Sequence, residues 1–370
     1  MSKISNQSDS ISRRDFLKAV VVGSSATLLA ACVGQPPASP KPVVSIVKIR
    51  KDNGGSGNIS AAVEEAIDLL GGIGMVAANK ERIMLKPNLV TDSYRCTTKP
   101  EVIRSLVALM KQAGKEVLIG EGSGVAIGHN NEPACCLKDP DKLNDMQQAV
   151  FDRLGYTELA DSLGVPLVSL HTGEMVEVDV PGGSAYQKLT IHHSLTEIDM
   201  LCSVPMMKTH DRASVSLGMK NLIGLYPGSV YGSIRSDMHD CAAAAGSEGV
   251  SFEIIDMMRA TANKLGLVVI DGSTAMEGNG PTAGELVAMN IIIAGTNPLA
   301  TDMVAAYVMG FEPDEIPHFV LAGSVGLGPK SRVEIEIRGE SVSSVRRNFK
   351  KPDMNPWIEN ISSFQECLEL

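Results

Sequence analysis

Residues Asp199 to Gly228 read DMLCSVPMMKTHDRASVSLGMKNLIGLYPG. The stretch opens as a buried strand, Ile198 to Val204, which Pro205 stops because proline has no N–H to give a ladder. Lys208, Thr209 and His210 follow the stop. Lys220 and Asn221 come ten residues later, framed by Leu217, Met219, Leu222, Ile223 and Leu225. Two lysines, a histidine and an amide at the end of a core strand predict a site, since ligands of α/β sheets bind at strand carboxyl ends.

Working outward, apolar strands alternate with helical patterns. Strands are predicted at Val43–Ile49, Arg82–Leu85, Glu116–Ile119, Val165–Ser169, Leu267–Ile270 and Ala288–Ala294. Helices are predicted from Asn58 to Leu70, from Pro100 to Gly114, from Leu143 to Leu154, from Phe252 to Leu265 and from Pro298 to Met309. Val176–Val180 and Leu189–Ile191 read as an inserted hairpin, and Glu334–Ile337 as an edge strand. The expected fold is α/β: a single domain with a mostly parallel or mixed sheet flanked by helices, plus that β hairpin.

The first residues read as an address. Arg13 and Arg14, followed by Asp15-Phe16-Leu17-Lys18, form a twin-arginine export signal ahead of an apolar run from Ala19 to Ala31. That run is short of the ~20 residues a membrane-spanning helix needs. Leu29-Ala30-Ala31-Cys32 resembles a lipobox, so Cys32 is the expected lipidation site. The expected organisation is a signal over 1–31, a proline-rich tether over 32–41 and the α/β domain over 42–370. The partners implied are the twin-arginine translocase and a membrane, the latter through lipid on an exported protein.

The whole chain carries a net charge of −10 over 370 residues. An acidic surface argues against a nucleic-acid partner. Aromatic residues make up 4%, so the expected core is aliphatic. Besides Cys32, the cysteines Cys96, Cys135, Cys136, Cys202, Cys241 and Cys367 contain no C-x-x-C pair. No zinc ribbon or ferredoxin-type iron–sulfur motif is present, and no disulfide framework is expected.

Other candidate chemistry lies at strand ends: Lys86-Pro87-Asn88, Glu121 within Gly120 to Gly124, Asp271, Glu277 and the helix carrying Asp302. The glycine run lacks G-x-G-x-x-G spacing, and an acid inside it would repel a diphosphate, so a dinucleotide site is disfavoured. Lys86, Asn88, Lys208, Lys220 and Asn221 are candidate ligands of a small anionic molecule. His210, Glu121 and Lys208 are candidate catalytic groups. Asp271, Glu277 and Asp302 are oxygen donors suited to a divalent metal, which is a candidate cofactor; the sequence assigns none. His239, between acidic neighbours, is another candidate ligand. Lys86, Glu121, Lys208, His210, Lys220, Asn221, Asp271 and Glu277 are expected to line one cleft.

Lys86-Pro87-Asn88, Pro205 to His210, Gly218 to Gly224, Asp271-Gly272, Glu277 to Pro281 and the Asn297–Gly310 helix together resemble the domain-of-unknown-function 362 family, over roughly residues 42–340. Several relatives carry a ferredoxin-like module, which implies redox work; this chain lacks the cysteines for it. The resemblance assigns no activity. Three classes follow: an enzyme on a small anion, an oxidoreductase among the options; a lipoprotein that only captures the anion; and an envelope scaffold.

Overall fold

The computed structural model describes residues 40–51, 57–129, 137–235, 250–262 and 264–353. The export signal, Cys32 and the tether up to residue 39 lie outside the described residues, as do Cys135, Cys136, His239, Cys241 and Cys367. Lys41–Trp357 cluster as one compact unit.

Thirteen strands are formed by the described residues. They are β1 (Val43–Lys48), β2 (Arg82–Pro87), β3 (Glu116–Glu121), β4 (Leu167–Ser169), β5 (Met175–Asp179), β6 (Lys188–His192), β7 (Met200–Val204), β8 (Met206–His210), β9 (Ser214–Ser216), β10 (Leu265–Glu277), β11 (Glu285–Val287), β12 (Ile291–Gly295) and β13 (Glu336–Gly339). The longer helices are α1 (Ile59–Asp68), α2 (Pro100–Gln112), α3 (Pro140–Arg153), α4 (Tyr156–Leu163), α5 (Ser251–Ala260), α6 (Pro298–Met309) and α7 (Pro317–Ser324).

The main sheet runs β13-β1-β12-β10-β7-β2-β3-β4. The pairings β10–β7, β7–β2, β2–β3 and β3–β4 are parallel, and β12 is antiparallel to both its neighbours. This is the expected mostly parallel α/β sheet, and β5–β6 form the separate antiparallel hairpin. The central strands β7 and β12 are buried along their whole length, as apolar strands covered on both faces must be. Alternate residues of the strands, such as Ile83, Leu85, Val117, Ile119, Cys202 and Val204, join one core with residues of α1 to α4. On the other side α6 packs on β1, β10 and β12.

Local chemistry sets the helix starts. Asn58 accepts from the Ala61 N–H to begin α1, Asp139 from Lys142 to begin α3, and Asn297 from Ala300 to begin α6. Pro100, Pro140 and Pro298 occupy first-turn positions, where no N–H is needed.

Three elements differ from expectation. Pro205 does not end the strand region: its carbonyl accepts from the Asp271 N–H, and β8 resumes at Met206. The missing donor removes a single ladder bond, and β10, extending to Glu277, holds both β7 and β8. The helix ending at Ala260 is shorter than predicted because Leu265 already pairs with Leu201. The apolar run from Ala288 splits, since Asn290 turns with φ of 52° between β11 and β12. Helices α4 and α7 had no counterpart in the sequence reading.

The order of connections positions the site. From β2 the chain steps to β3 and then β4. It returns through the hairpin to β7 on the opposite side of β2, and proceeds to β10. The direction of winding therefore reverses between β2 and β7. A crevice forms outside the carboxyl ends of strands at such a point.

Candidate anion site at the strand ends

A cavity of about 710 Å³ opens where these strands end. Lys86 and Asn88 from the end of β2, Glu121 from β3, Lys208 and His210 from β8, and Lys220 and Asn221 from the 3₁₀ segment Lys220–Leu225 all line it. The spacing within β8 explains its share. Residues two apart share a face of a strand, so Lys208 and His210 both face the cavity while Thr209 donates to the Gly278 carbonyl. Ser216 sits opposite Lys208 across the β8–β9 ladder and also lines the wall.

Lys86 and Glu121 form the floor. Nζ of Lys86 lies 2.7 Å from Oε1 of Glu121, with side chains 1% and 2% exposed. Lys86 also donates to Oδ1 of Asn221 and to the Pro87 carbonyl, each at 2.9 Å. Burial lowers the Lys86 pKa, and Glu121 opposes that shift. Glu121 is fully engaged, since Oε2 accepts from the Leu89 N–H and Oε1 from the Gly122 N–H. Gly224 packs so closely here that a Cβ would lie 2.5 Å from both Glu121 Oε1 and Lys86 Nζ. At Gly122 a Cβ would meet an Arg235 nitrogen at 2.7 Å. Gly224 thus serves close approach to the buried ion pair, and Gly122 close approach to the Arg235 guanidinium.

The other two lysines differ. Lys208 is 0% exposed. Its Nζ donates to the Cys96 carbonyl at 2.6 Å, and it forms no ion pair among the described residues. Burial lowers its pKa to about 8, with Lys86 adding to the shift. Among the described residues Lys220 lines the cavity with neither a hydrogen bond nor an ion pair. Burial, then Arg235, Lys208 and Lys86, bring it to about 7. Burial and Lys220 push His210 down to about 3, so it is neutral. Its Nδ1 lies 3.0 Å from the Arg212 backbone nitrogen and 3.1 Å from Oδ1 of Asp211.

Sequence reading missed Arg235. Its Nε and both Nη atoms donate to five carbonyls, those of Ser123, Gly122, Gly224, Tyr226 and Ser233. No motif marks it, because its partners are backbone carbonyls, and those of Ser123 and Gly122 come from more than 110 positions away. The cavity wall thus carries the cations Lys86, Lys208, Arg212, Lys220 and Arg235 against the carboxylates Asp92, Glu121 and Asp211. Asp92 is paired with Arg153. In a chain of net charge −10 this local excess of positive charge focuses the field on anions.

The three carboxylates expected to bind metal are not brought together, and none lines this cavity. Asp271 accepts from the Lys99 N–H and from Ser273, which fixes the approach to α2. Glu277 accepts from the Lys350 N–H and lies 3.7 Å from Arg347. Asp302 accepts the N–H groups of Gly218 and Met219 at 2.8 and 2.7 Å, and burial raises its pKa to about 7. These are backbone-fixing roles, which also correct the expectation that Asp271 and Glu277 share the cleft. Among the described residues no group of three or more His, Cys, Asp or Glu side chains is placed to hold a metal ion. Cys96 and Cys202 are buried free thiols.

Comparison with known proteins adds the following. A thylakoid-associated protein of Synechocystis sp. is 25% identical over 294 residues, covering 78% of this chain and 81% of that protein. The lactate racemase apoprotein from Thermoanaerobacterium thermosaccharolyticum is 15% identical, with a TM-score of 0.43, over 76% of this chain and 60% of that one. A protein from Thermotoga maritima is 14% identical, with a TM-score of 0.37, over 65% and 55%. The chain therefore spans less than two thirds of either solved structure. The match that covers most of the site is to a domain of unknown function, DUF362, over residues 83–307, and the chain belongs to that family.

Proposed function

We propose that this is an exported, lipid-anchored protein whose strand-end cavity binds a small organic or inorganic anion. The observation that carries the reading is the contrast among the lysines. Lys86 is paired with Glu121 at 2.7 Å, whereas Lys208 and Lys220 face the cavity without an ion pair among the described residues, Glu121 and Asp211 acting on them only from further away. A buried ammonium without a partner is costly, and a bound anion supplies the missing charge. The volume of about 710 Å³ falls within the range of about 300–1,000 Å³ usual for small-molecule sites. Export is supported by Arg13 and Arg14, and the anchor by Cys32. A membrane address is in keeping with the thylakoid-associated relative. Among the described residues no helix is long and apolar enough to cross a membrane.

A second reading is an acid–base enzyme acting on the same anion. It is favoured by Lys220, whose amine titrates at about 7 beside the neutral His210. A base poised near the working pH is what proton transfer needs. Glu121 fits this role poorly, because both its oxygens are held by Lys86 and two backbone amides. Calorimetric titration of the mature protein with acetate, glycolate and phosphate tests the shared premise. Binding lost in Lys208→Met and Lys220→Met supports it, and binding unaffected by both substitutions overturns it.

A further inference from the structure

Resting on the anion-site reading, we infer that Lys220 is a nucleophile, whose amine condenses with the carbonyl of an α-oxo carboxylate held in the cavity to give a Schiff base.

Three lysines line the wall, and only one of them has an uncommitted amine that reaches open space. Lys86 is bound to Glu121 and Asn221. Lys208 is 0% exposed and donates to the Cys96 carbonyl. Lys220 is half-buried, and among the described residues its Nζ has neither a hydrogen bond nor an ion pair. That Nζ is nevertheless not one of the unpartnered polar atoms sealed inside the protein, so it keeps accessible surface. The charges that act on it are those of Arg235, Lys208, Lys86 and Asp211. All four residues belong to the cavity wall, so the amine opens into the cavity.

The stem of Lys220 starts from a fixed place. Asp302 holds the N–H groups of Gly218 and Met219 on one side. On the other, Nδ2 of Asn221 donates to the Lys86 carbonyl and to the Ser203 hydroxyl. An amine attacks a carbonyl only when unprotonated, and desolvation beside other cations is what produces that state near neutral pH. Burial, Arg235, Lys208 and Lys86 do so here, bringing Lys220 to about 7.

The ligand class follows from the same wall. The excess of cations selects a carboxylate, and a carbonyl beside that carboxylate is the electrophile the amine requires. Val90, Val125, Ile127, Ile223 and Ile234 face the remaining carbon skeleton. The step balances without oxidant or reductant. The nitrogen lone pair forms the N–C bond, and the carbonyl π pair moves onto oxygen. That oxygen then departs as water with the two hydrogens of the amine, leaving the C=N bond.

The test is reductive trapping. The mature protein is incubated with pyruvate and cyanoborohydride at neutral pH, and modified peptides are mapped by mass spectrometry. The expected product is one carboxyethyl group per chain on Lys220. It should form at least about tenfold faster than on Lys188, an exposed lysine paired with Glu177 whose pKa is raised. Excess acetate, which has the carboxylate but no ketone, should slow labelling of Lys220 and leave that of Lys188 unchanged. The Lys220 rate should rise through about pH 7 and level off, whereas the Lys188 rate continues to climb. Lys220→Arg should lose the fast label. Pyruvate that binds by calorimetry but is not trapped on Lys220 would overturn this inference and leave the anion site standing. Labelling spread evenly over the lysines, or a fast label that persists in Lys220→Arg, would also overturn it. Failure of pyruvate, acetate and phosphate to bind, with no trapping, would remove the anion-site reading and this inference with it. Mapping on the wild type needs no variant, so a misfolded Lys220→Arg does not weaken the test.

Discussion

Nζ of Lys86 lies 2.7 Å from Oε1 of Glu121 at the bottom of the cavity, and neither side chain reaches solvent. The two residues end neighbouring parallel strands, with Leu85 of β2 in register with Ile119 of β3. Among the described residues this is the one lysine of the site that forms an ion pair. Lys86→Met leaves the Glu121 carboxylate buried and unpaired, and should cost about 3–5 kcal/mol of unfolding free energy. The double change Lys86→Met with Glu121→Gln should recover a large part of that loss. Denaturant unfolding measures both, and a single variant as stable as the wild type would contradict the pairing.

Lys208 and Lys220 should behave in the opposite way. Without ligand, Lys208→Met removes a buried ammonium that forms no ion pair among the described residues, so the free protein should be as stable as the wild type or more so. With a bound anion the same change should weaken binding by about 2–5 kcal/mol. Thermal melts with and without phosphate or glycolate separate the two effects. A large loss of stability in the free variant would mean that a protein group supplies the missing charge.

The pH dependence follows from the same lysines. Their folded pKa values, about 8 for Lys208 and about 7 for Lys220, lie below the ordinary lysine value of 10.5. Between about pH 7 and 10 the unfolded chain therefore binds more protons than the folded one. These two groups should make the free protein more stable as pH rises through that window. Anion affinity should fall over the same window as the ammonium charge is lost. Titrations and melts across pH 6.5 to 10 should show these opposite slopes, and anion affinity constant over the range would exclude both lysines from binding.

His318 in α7 is 0% exposed, packs edge-on against Phe319 and, among the described residues, has no hydrogen-bond partner on either ring nitrogen. Burial, then Lys220 and His210, bring its pKa to about 3, so the ring is neutral. Replacing an unpartnered polar ring by an apolar side chain of similar volume should be neutral or stabilising. His318→Leu is expected to retain or raise the melting temperature. A loss of more than about 2 kcal/mol, the range for a broken buried hydrogen bond, would show that the imidazole has a partner.

Export gives the remaining test. Changing Arg13 and Arg14 to Lys should hold the protein in the cytoplasm, and Cys32→Ser should abolish labelling with radioactive fatty acid while leaving the melting temperature unchanged. Normal envelope levels in the first variant, or normal lipid labelling in the second, would reject the corresponding part of the address.

The alternation of strands and helices is legible in the chain, because burial on both faces demands continuous apolar runs such as Met200–Val204 and Ile291–Gly295. The sequence also marked Lys86, Glu121, Lys208 and His210, since polar residues that follow apolar strands of a parallel sheet fall on one rim. Tertiary structure alone decided what each polar group does. Lys86 and Asn221 are 135 positions apart and Gly218 and Asp302 are 84, so no local pattern encodes either contact. Asp271, Glu277 and Asp302 looked like metal donors because a carboxylate is the same residue whether it meets a cation or a backbone N–H. Only the packing of β10 and α6 shows that backbone amides reach them first. The continuation of β8 past Pro205 and the five carbonyls around Arg235 belong to the same class. Each depends on distant segments meeting at one point, and chain order does not carry that information.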